Sequence, residues 1–300
     1  MRLTVLTRKE SPMSLTKVFV STGNFKMAPL EAVRWLRKEG VSCVELSGGT
    51  LVNDPMSGLA AEVEHGPMQI HNYFPPRPHP FVFNLCDPDP VGRARSISLA
   101  QDAIKFGLTL GSTLYSFHAG FLGTPAVSDL GRTWGVTNRV CLDDGIELFV
   151  QSVAELSAFA RERGVKLLVE NNVLTLDNAE HNGRDILLMT NPQGIRDVLR
   201  ALSPDVRLLM DVAHLAVSAM SLGFEARQAL IEIADLVGGY HLSENDGYID
   251  SNEPVRQDSW FWEGLTPGVE FVTLEVNPNF GASFADQVRV TETMLGRNGV

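Results

Sequence analysis

Four side chains able to bind a metal or move a proton fall at matching places in four successive stretches. Lys166–Val173 reads KLLVENNV, an apolar run ending in Glu170 and two amides, Asn171 and Asn172. Val206–His214 (VRLLMDVAH) carries Asp211 after its run, Gly238–Asp246 (GGYHLSEND) carries His241, and Phe271–Asn277 (FVTLEVN) carries Glu275. Short continuous apolar runs read as buried parallel strands. A charge at the end of such a run is expensive to bury alone and needs a cation, a partner or water. Three carboxylates brought together raise one another's pKa, and a divalent cation removes that penalty. Three carboxylates with one imidazole make a mostly oxygen donor set, suited to Mn²⁺, Mg²⁺ or Co²⁺ and compatible with Zn²⁺. One such carboxylate by itself would more often cap a helix or pair with a neighbour. Four in register on consecutive stretches point to a shared ion.

The elements that must position them follow from the spacing. Glu170, Asp211, His241 and Glu275 are separated by 41, 30 and 34 residues, about one strand–loop–helix–loop unit of roughly 30 residues plus a variable loop. Upstream, strands are expected at Lys17–Gly23, Val44–Leu46, Pro67–Phe74 and Thr113–Gly120, the last two bearing His71 and His118. Helices are expected at Pro29–Gly40, around Pro55–Val63, and at Val91–Leu110, Asp143–Gly164, Pro192–Leu202, Glu225–Val237 and Phe284–Arg297. Asp143–Gly164 is the clearest, with Ile146, Phe149, Val150, Val153, Leu156 and Phe159 on one face. Loops fill Phe121–Val140, Leu174–Thr190 and Gly247–Gly268, and the seventh connection shows no clear helix. The stretch PPRPHPFVFNLCDPDP holds six of the 16 prolines and reads as a stiffened loop. Eight strands alternating with helices make an α/β fold with a parallel sheet, expected to close as a (β/α)₈ TIM barrel. No G-x-G-x-x-G follows the first strand, so the dinucleotide reading lacks its fingerprint.

Active sites of such barrels lie at the carboxyl ends of the strands, where the four residues would converge. His71 and His118 extend the pattern backwards, and His214, three residues past Asp211, is near enough to reach the same cavity. His65, His79 and His181 lack that registration and read as incidental. In the loop after the seventh strand, Trp260 and Trp262 would either cover a sugar face as a lid or pack the loop down. Arg77 would either meet an anionic group or face solvent.

The chain has 300 residues, 44% hydrophobic and 20% charged, with a net charge of −11. That field and the lack of a Lys/Arg-rich run argue against nucleic acid. No stretch approaches the roughly 20 apolar residues of a membrane span. Three scattered cysteines, Cys43, Cys86 and Cys141, give no zinc-knuckle or disulfide framework and fit a reducing, cytoplasmic setting. Residues 1–16 read as a tail without a signal-peptide core, leaving residues 17–300 as one barrel domain.

VENN, MDVAH, HLSENDG and LEVN, supported by IHNYF and FHAGF, resemble the xylose isomerase-like barrel superfamily over residues 17 to 297. That superfamily includes sugar isomerases, ketose 3-epimerases, hydroxypyruvate isomerase, inosose dehydratase and endonuclease IV. The resemblance implies one divalent ion held by Glu170, Asp211, His241 and Glu275, with Glu170 and Glu275 also the acid/base pair acting on a sugar or sugar-like polyol or keto acid. It implies isomerisation or epimerisation by proton transfer next to a carbonyl, through an enediolate. His214 would touch substrate, and His71 and His118 are placed with it. Homo-oligomers are common in the resembled family. The endonuclease branch implies three zinc ions and cleavage of abasic DNA. Its Asp-x-His motif is met here by Asp250-Ser251-Asn252, with an amide that is a poor zinc ligand. A dehydratase or a sugar-binding protein using the same site is the remaining alternative.

Overall fold

The computed structural model describes residues 16–129 and 133–299. Eight parallel strands close into a barrel: Lys17–Ser21, Val44–Leu46, Met68–His71, Leu114–His118, Lys166–Glu170, Arg207–Asp211, Val237–Leu242 and Phe271–Leu274. Each pairs with the next in the chain, and the first closes on the last with Lys17 opposite Phe271. The expected (β/α)₈ architecture is therefore the observed one. Outward-facing strand residues such as Val20, Leu46, Ile70, Phe117, Val169, Met210, Tyr240 and Leu274 are fully buried under the surrounding helices. The helix Leu142–Arg161 packs the face expected of it, with Phe149, Val153 and Leu156 buried and Ile146, Val150 and Phe159 partly so.

Alternate residues point into the barrel and stack in layers. Phe19, Leu168, Leu209 and Phe271 form a separate apolar cluster, the floor of the interior. Gly239 makes that floor fit, since a Cβ there would lie 2.5 Å from the Phe271 ring. Glu45, Gln69, Ser116 and Thr273 are buried polar residues in the inward-pointing register. An interior that is apolar at one end and polar towards the other readies one mouth for chemistry.

Several elements depart from the expectation for identifiable reasons. A helix at Val212–Leu222 runs directly out of the sixth strand. Eight of its residues are buried, so it lacks the one-sided apolar stripe that marks a surface helix. The expected helix over Glu225–Val237 is shorter, Ala226–Glu232, and is followed by a 3₁₀ turn at Ala234–Leu236. Around Pro55–Val63 the chain instead forms a 3₁₀ helix at Leu59–His65, entered through Gly58 at φ 77°. Within the expected loop Leu174–Thr190 lies a helix at Leu176–Asn182, capped where Thr175 accepts from the Asn178 backbone N–H at 3.4 Å. In Phe121–Val140, Thr124–Pro125 pairs with Val136–Thr137 as a small antiparallel ribbon. The seventh connection holds only a 3₁₀ turn, Trp262–Gly264, as expected of it. Apart from Thr16, the expected N-terminal tail lies outside the described residues. Among the described residues, no helix is long and apolar enough to cross a membrane.

Candidate metal centre

The strand register delivers the four sequence-marked residues to one point. Glu170 and Asp211 end the fifth and sixth strands, His241 stands next to last in the seventh, and Glu275 follows the eighth. Asp211 pairs with His241, and His241 with Thr273. Glu275, two residues past Thr273, therefore points to the same interior face one layer higher. One donor atom from each of Glu170, Asp211, His241 and Glu275 lies within 4.8 Å of all the others. His241 Nδ1 is 3.0 Å from Glu170 Oε1, 3.4 Å from Glu275 Oε1 and 4.0 Å from Asp211 Oδ2. Glu170, Asp211 and His241 are fully buried, whereas the Glu275 side chain keeps 15% exposure and faces the mouth.

The amides after Glu170 explain how the sequence fixes this geometry. Asn171 Nδ2 donates to the Asp211 carbonyl at 3.0 Å, and its Oδ1 accepts from the Asp211 N–H at 2.8 Å. Asn172 Nδ2 donates to the carbonyls of Ala119, Gly120 and Leu188. The two amides thus tie the end of the fifth strand to the fourth and sixth. Asp211 is divided in function. Its Oδ1 caps the helix Val212–Leu222 by accepting from the His214 N–H at 2.7 Å, and its Oδ2 is left for the interior. His214 stands 2.9 Å through Nδ1 from the Asn171 carbonyl and 3.3 Å through Nε2 from Asp250 Oδ2.

His71 and His118 both stand on Glu170. His71 Nε2 is 3.1 Å and His118 Nδ1 3.2 Å from Glu170 Oε2, and these three residues form a second set of donors within 4.8 Å of one another. His71 is buried, with Nδ1 3.0 Å from Ser116 Oγ. His118 is also part of the wall of a cavity of about 280 Å³, together with Asn72, Tyr73, Phe81, Phe83 and Phe121. A third set joins Glu45, His71 and His241, and His65, His79 and His181 lie in none of the three.

The electrostatics are those of a charge cluster in a dry place. Burial alone would raise Glu170, but the imidazoles of His118, His71 and His241 outweigh it and hold the carboxyl well below the ordinary range. Burial pushes Asp211 up to about 7; His214 opposes the shift, while Glu170, Asp250 and Glu275 add to it. Burial likewise raises Glu275, against His241 and with Glu170. Burial lowers His118 to about 3 despite the neighbouring Glu170. For His241 burial is overcome by Glu45, Glu275 and Glu170, and its pKa stands well above the usual value.

Glu45 escaped the sequence reading. It is completely buried in the short second strand, with Oε1 3.0 Å from His241 Nε2. Its signal was present as a carboxylate inside the apolar run CVEL, but only the register across three strands shows where it points. The remaining loop residues resolve simply. Trp262 is buried with its Nε1–H on the Arg256 carbonyl at 2.7 Å, and Trp260 packs against the core and Phe261, so the tryptophans hold the loop down. Arg77 pairs with Asp102 at 2.8 Å. Asn252 accepts from Ser243 Oγ at 3.1 Å.

The donor set fits a divalent cation. Both oxygens of Glu170, Asp211 Oδ2, Glu45 Oε1 and both ring nitrogens of His241 are buried without a hydrogen bond of acceptable geometry, a costly state unless something else meets them. The family model described as xylose isomerase-like TIM barrel matches residues 33–274. The chain belongs to the xylose isomerase-like TIM barrel family. No curated protein matches this barrel. Among solved structures it is similar to a D-tagatose 3-epimerase-like protein, at 13% identity over 94% of this chain and 98% of the other, with a TM-score of 0.68. The IOLI protein with a bound zinc atom is similar at 14% identity over 95% and 98%, with a TM-score of 0.64. D-psicose 3-epimerase from Clostridium cellulolyticum H10, solved with D-tagatose, is similar at 14% identity over 94% and 98%, with a TM-score of 0.60. At such identities the likeness shows a shared fold.

Proposed function

We propose that this xylose isomerase-like barrel is a divalent-metal-dependent isomerase or epimerase of a sugar or sugar-like polyol. The observation that carries the reading is the convergence of Glu170, Asp211, His241 and Glu275 within 4.8 Å, with buried donors left unmet by the protein. The sugar epimerases and the zinc-bound protein among its structural relatives support the same reading.

These four residues would hold the ion. When bound, it would supply positive charge to a substrate carbonyl and acidify the adjacent C–H. The proton chemistry then belongs to the chain. One of Glu170 and Glu275, ionised, takes the proton from the carbon next to the carbonyl, and the electron pair moves onto oxygen to give an enediolate. The other, protonated, returns a proton to the opposite face of that carbon for epimerisation, or one passes to the adjacent carbon for isomerisation. Glu170 is surrounded by the imidazoles of His71, His118 and His241, whereas Glu275 reaches the open mouth, so the pair spans buried and accessible sides of the pocket. His118, which also lines the neighbouring cavity, is proposed to hold a substrate hydroxyl. His71 and His214, whose ring nitrogens already meet Ser116, Glu170, the Asn171 carbonyl and Asp250, are proposed to reach substrate only by giving up one of those contacts.

The phosphodiesterase alternative needs a histidine where Asn252 instead bonds Ser243. The test is a panel of ketoses and aldoses incubated in D₂O with protein loaded with Mn²⁺, Co²⁺, Mg²⁺ or Zn²⁺. Deuterium at the carbon next to the carbonyl, seen by NMR, is expected with at least one sugar. Loss of water instead would identify a dehydratase. Tight sugar binding without exchange would leave a binding protein, and nicking of abasic duplex by zinc-loaded protein would restore the phosphodiesterase.

A further inference from the structure

Glu45 lies below the four proposed ligands and belongs to no part of the reaction scheme. Its Oε2 accepts from Gln69 Nε2 at 2.6 Å and from Thr273 Oγ1 at 3.0 Å, and Gln69 Nε2 also reaches Thr273 Oγ1 at 3.3 Å. Both anchors come from inward-facing positions, Gln69 beside Glu45 on the third strand and Thr273 beside His241 on the eighth, beyond the first. The carboxylate is therefore anchored, and its other oxygen, Oε1, stands 3.0 Å from His241 Nε2, within charge-contact distance but off hydrogen-bond alignment. His71, the other imidazole near it, is committed elsewhere, to Ser116 through Nδ1 and to Glu170 through Nε2.

A neutral imidazole has one donor nitrogen and one acceptor nitrogen, and the hydrogen bond at one sets the role of the other. Two donors already converge on Oε2, so Glu45 stands as an ionised acceptor and Oε1 calls for an N–H. We infer that Glu45 is a positioning residue that keeps a proton on His241 Nε2, so that the proton the ring gives up to a cation is the one on Nδ1, facing Glu170, Asp211 and Glu275, an inference that rests on the metal reading above. The opposite tautomer would point an N–H into the cation's place. A carboxylate behind a metal-bound imidazole also raises the ligand's basicity and fixes the plane of the ring.

The test loads the whole protein with Zn²⁺, a diamagnetic probe, and reads the His241 ring by ¹⁵N–¹H correlation spectroscopy. The expected wild-type spectrum carries the proton on Nε2 and the metal-induced shift on Nδ1. Glu45→Gln is the sharper variant. Gln69 and Thr273 would claim its single amide oxygen, turning its NH₂ towards His241 Nε2 and favouring the wrong tautomer. Its Zn²⁺ dissociation constant, measured by chelator competition, is expected to rise about 10- to 100-fold, the usual effect of losing such a partner. Glu45→Asp, which keeps the acceptor on a shorter arm, should recover part of the loss. A folded Glu45→Gln protein that binds Zn²⁺ as the wild type does overturns the inference. So does a wild-type ring that binds Zn²⁺ through Nε2, whether or not the variant folds. A wild-type protein that binds no divalent ion sinks the metal reading itself, which is a different result.

Discussion

Glu170 sets its Oε2 3.1 Å from His71 Nε2 while its Oε1 faces His241 Nδ1 at 3.0 Å. It thus joins two of the three sets of donors among the described residues, Glu170–Asp211–His241–Glu275 and His71–His118–Glu170, the third being Glu45–His71–His241. Glu170→Gln keeps the shape and removes the charge that both need. The expected outcome is loss of bound metal, read as metal per chain by elemental analysis after loading with one equivalent of Mn²⁺ and desalting. The metal-free variant should also melt lower. Breaking a buried ion pair such as Glu170–His241 costs about 3–5 kcal/mol.

Glu275 is the proposed ligand with a way out, since it alone of the four keeps solvent exposure. Glu275→Gln should leave the barrel's circular dichroism unchanged and still bind metal, though more weakly. Its turnover on the sugar identified by deuterium exchange should fall by about 10²–10⁴, the usual worth of a positioned general acid or base. A near-normal rate in that variant would remove the two-glutamate scheme.

The raised Asp211 makes metal binding depend on pH in a stated direction. Burial pushes its pKa up to about 7 in the metal-free protein from the ordinary 3.8, so the folded metal-free chain takes up a proton between those values. That contribution to metal-free stability is present at low pH and is lost as the pH rises through about 7. A cation can bind only after the proton leaves. Calorimetric titration with Mn²⁺ should therefore show affinity falling at least about tenfold for each pH unit below about 7, and still rising above it while the raised His241 gives up its proton. The gap in melting temperature between loaded and metal-free protein should widen as the pH rises towards neutrality. A flat affinity profile would show that no proton is displaced.

Why the site was legible and parts of the fold were not comes down to how each residue announces itself. Glu170, Asp211 and Glu275 interrupt apolar runs, and their spacing alone places them on successive strands of one sheet. Glu45 interrupts such a run too, but three residues make a strand with too little pattern to fix its inward face. That face is set by pairing of Ser21 with Glu45 and of Glu45 with Gln69, which only the closed barrel supplies. The helix Val212–Leu222 carried both end signals, Asp211 as its cap and Gly223 at φ 80° after it. Its nearly uniform burial erased the periodicity between them. The tryptophans were ambiguous because an aromatic side chain serves a core and a sugar equally well.

His118 separates substrate handling from metal handling. It meets Glu170 through Nδ1 and also lines the cavity bounded by Tyr73, Phe81, Phe83 and Phe121, while remaining outside the four-residue ligand set. His118→Ala should therefore raise KM by about threefold to tenfold, the worth of one neutral hydrogen bond. The Mn²⁺ dissociation constant should change less than it does in Asp211→Asn. Steady-state kinetics with parallel metal titration decides the matter. A variant that loses metal as severely as Asp211→Asn would make His118 a ligand of the principal ion.

The floor under this chemistry is a packing problem solved by a missing side chain. Gly239 sits in the seventh strand where a Cβ would come within 2.5 Å of the Phe271 ring, and that ring is enclosed by Phe19, Leu168 and Leu209. Phe19 and Phe271 meet edge to face with ring centroids 6.1 Å apart, which leaves the ring little freedom to retreat. Gly239→Ala should cost about 1–3 kcal/mol, the usual penalty for adding a methyl to a filled core, and lower the melting temperature accordingly. Phe271→Leu should cost stability by itself through the cavity it leaves. In the double variant the new methyl would occupy part of that cavity, so the two losses should sum to less than their separate values. Because His241 is two residues beyond Gly239 on the same inward face, the single Gly239→Ala change should also weaken metal binding by shifting the strand. The rescue by Phe271→Leu should restore both properties together, and recovery of stability without recovery of metal affinity would show that the floor and the site are mechanically independent.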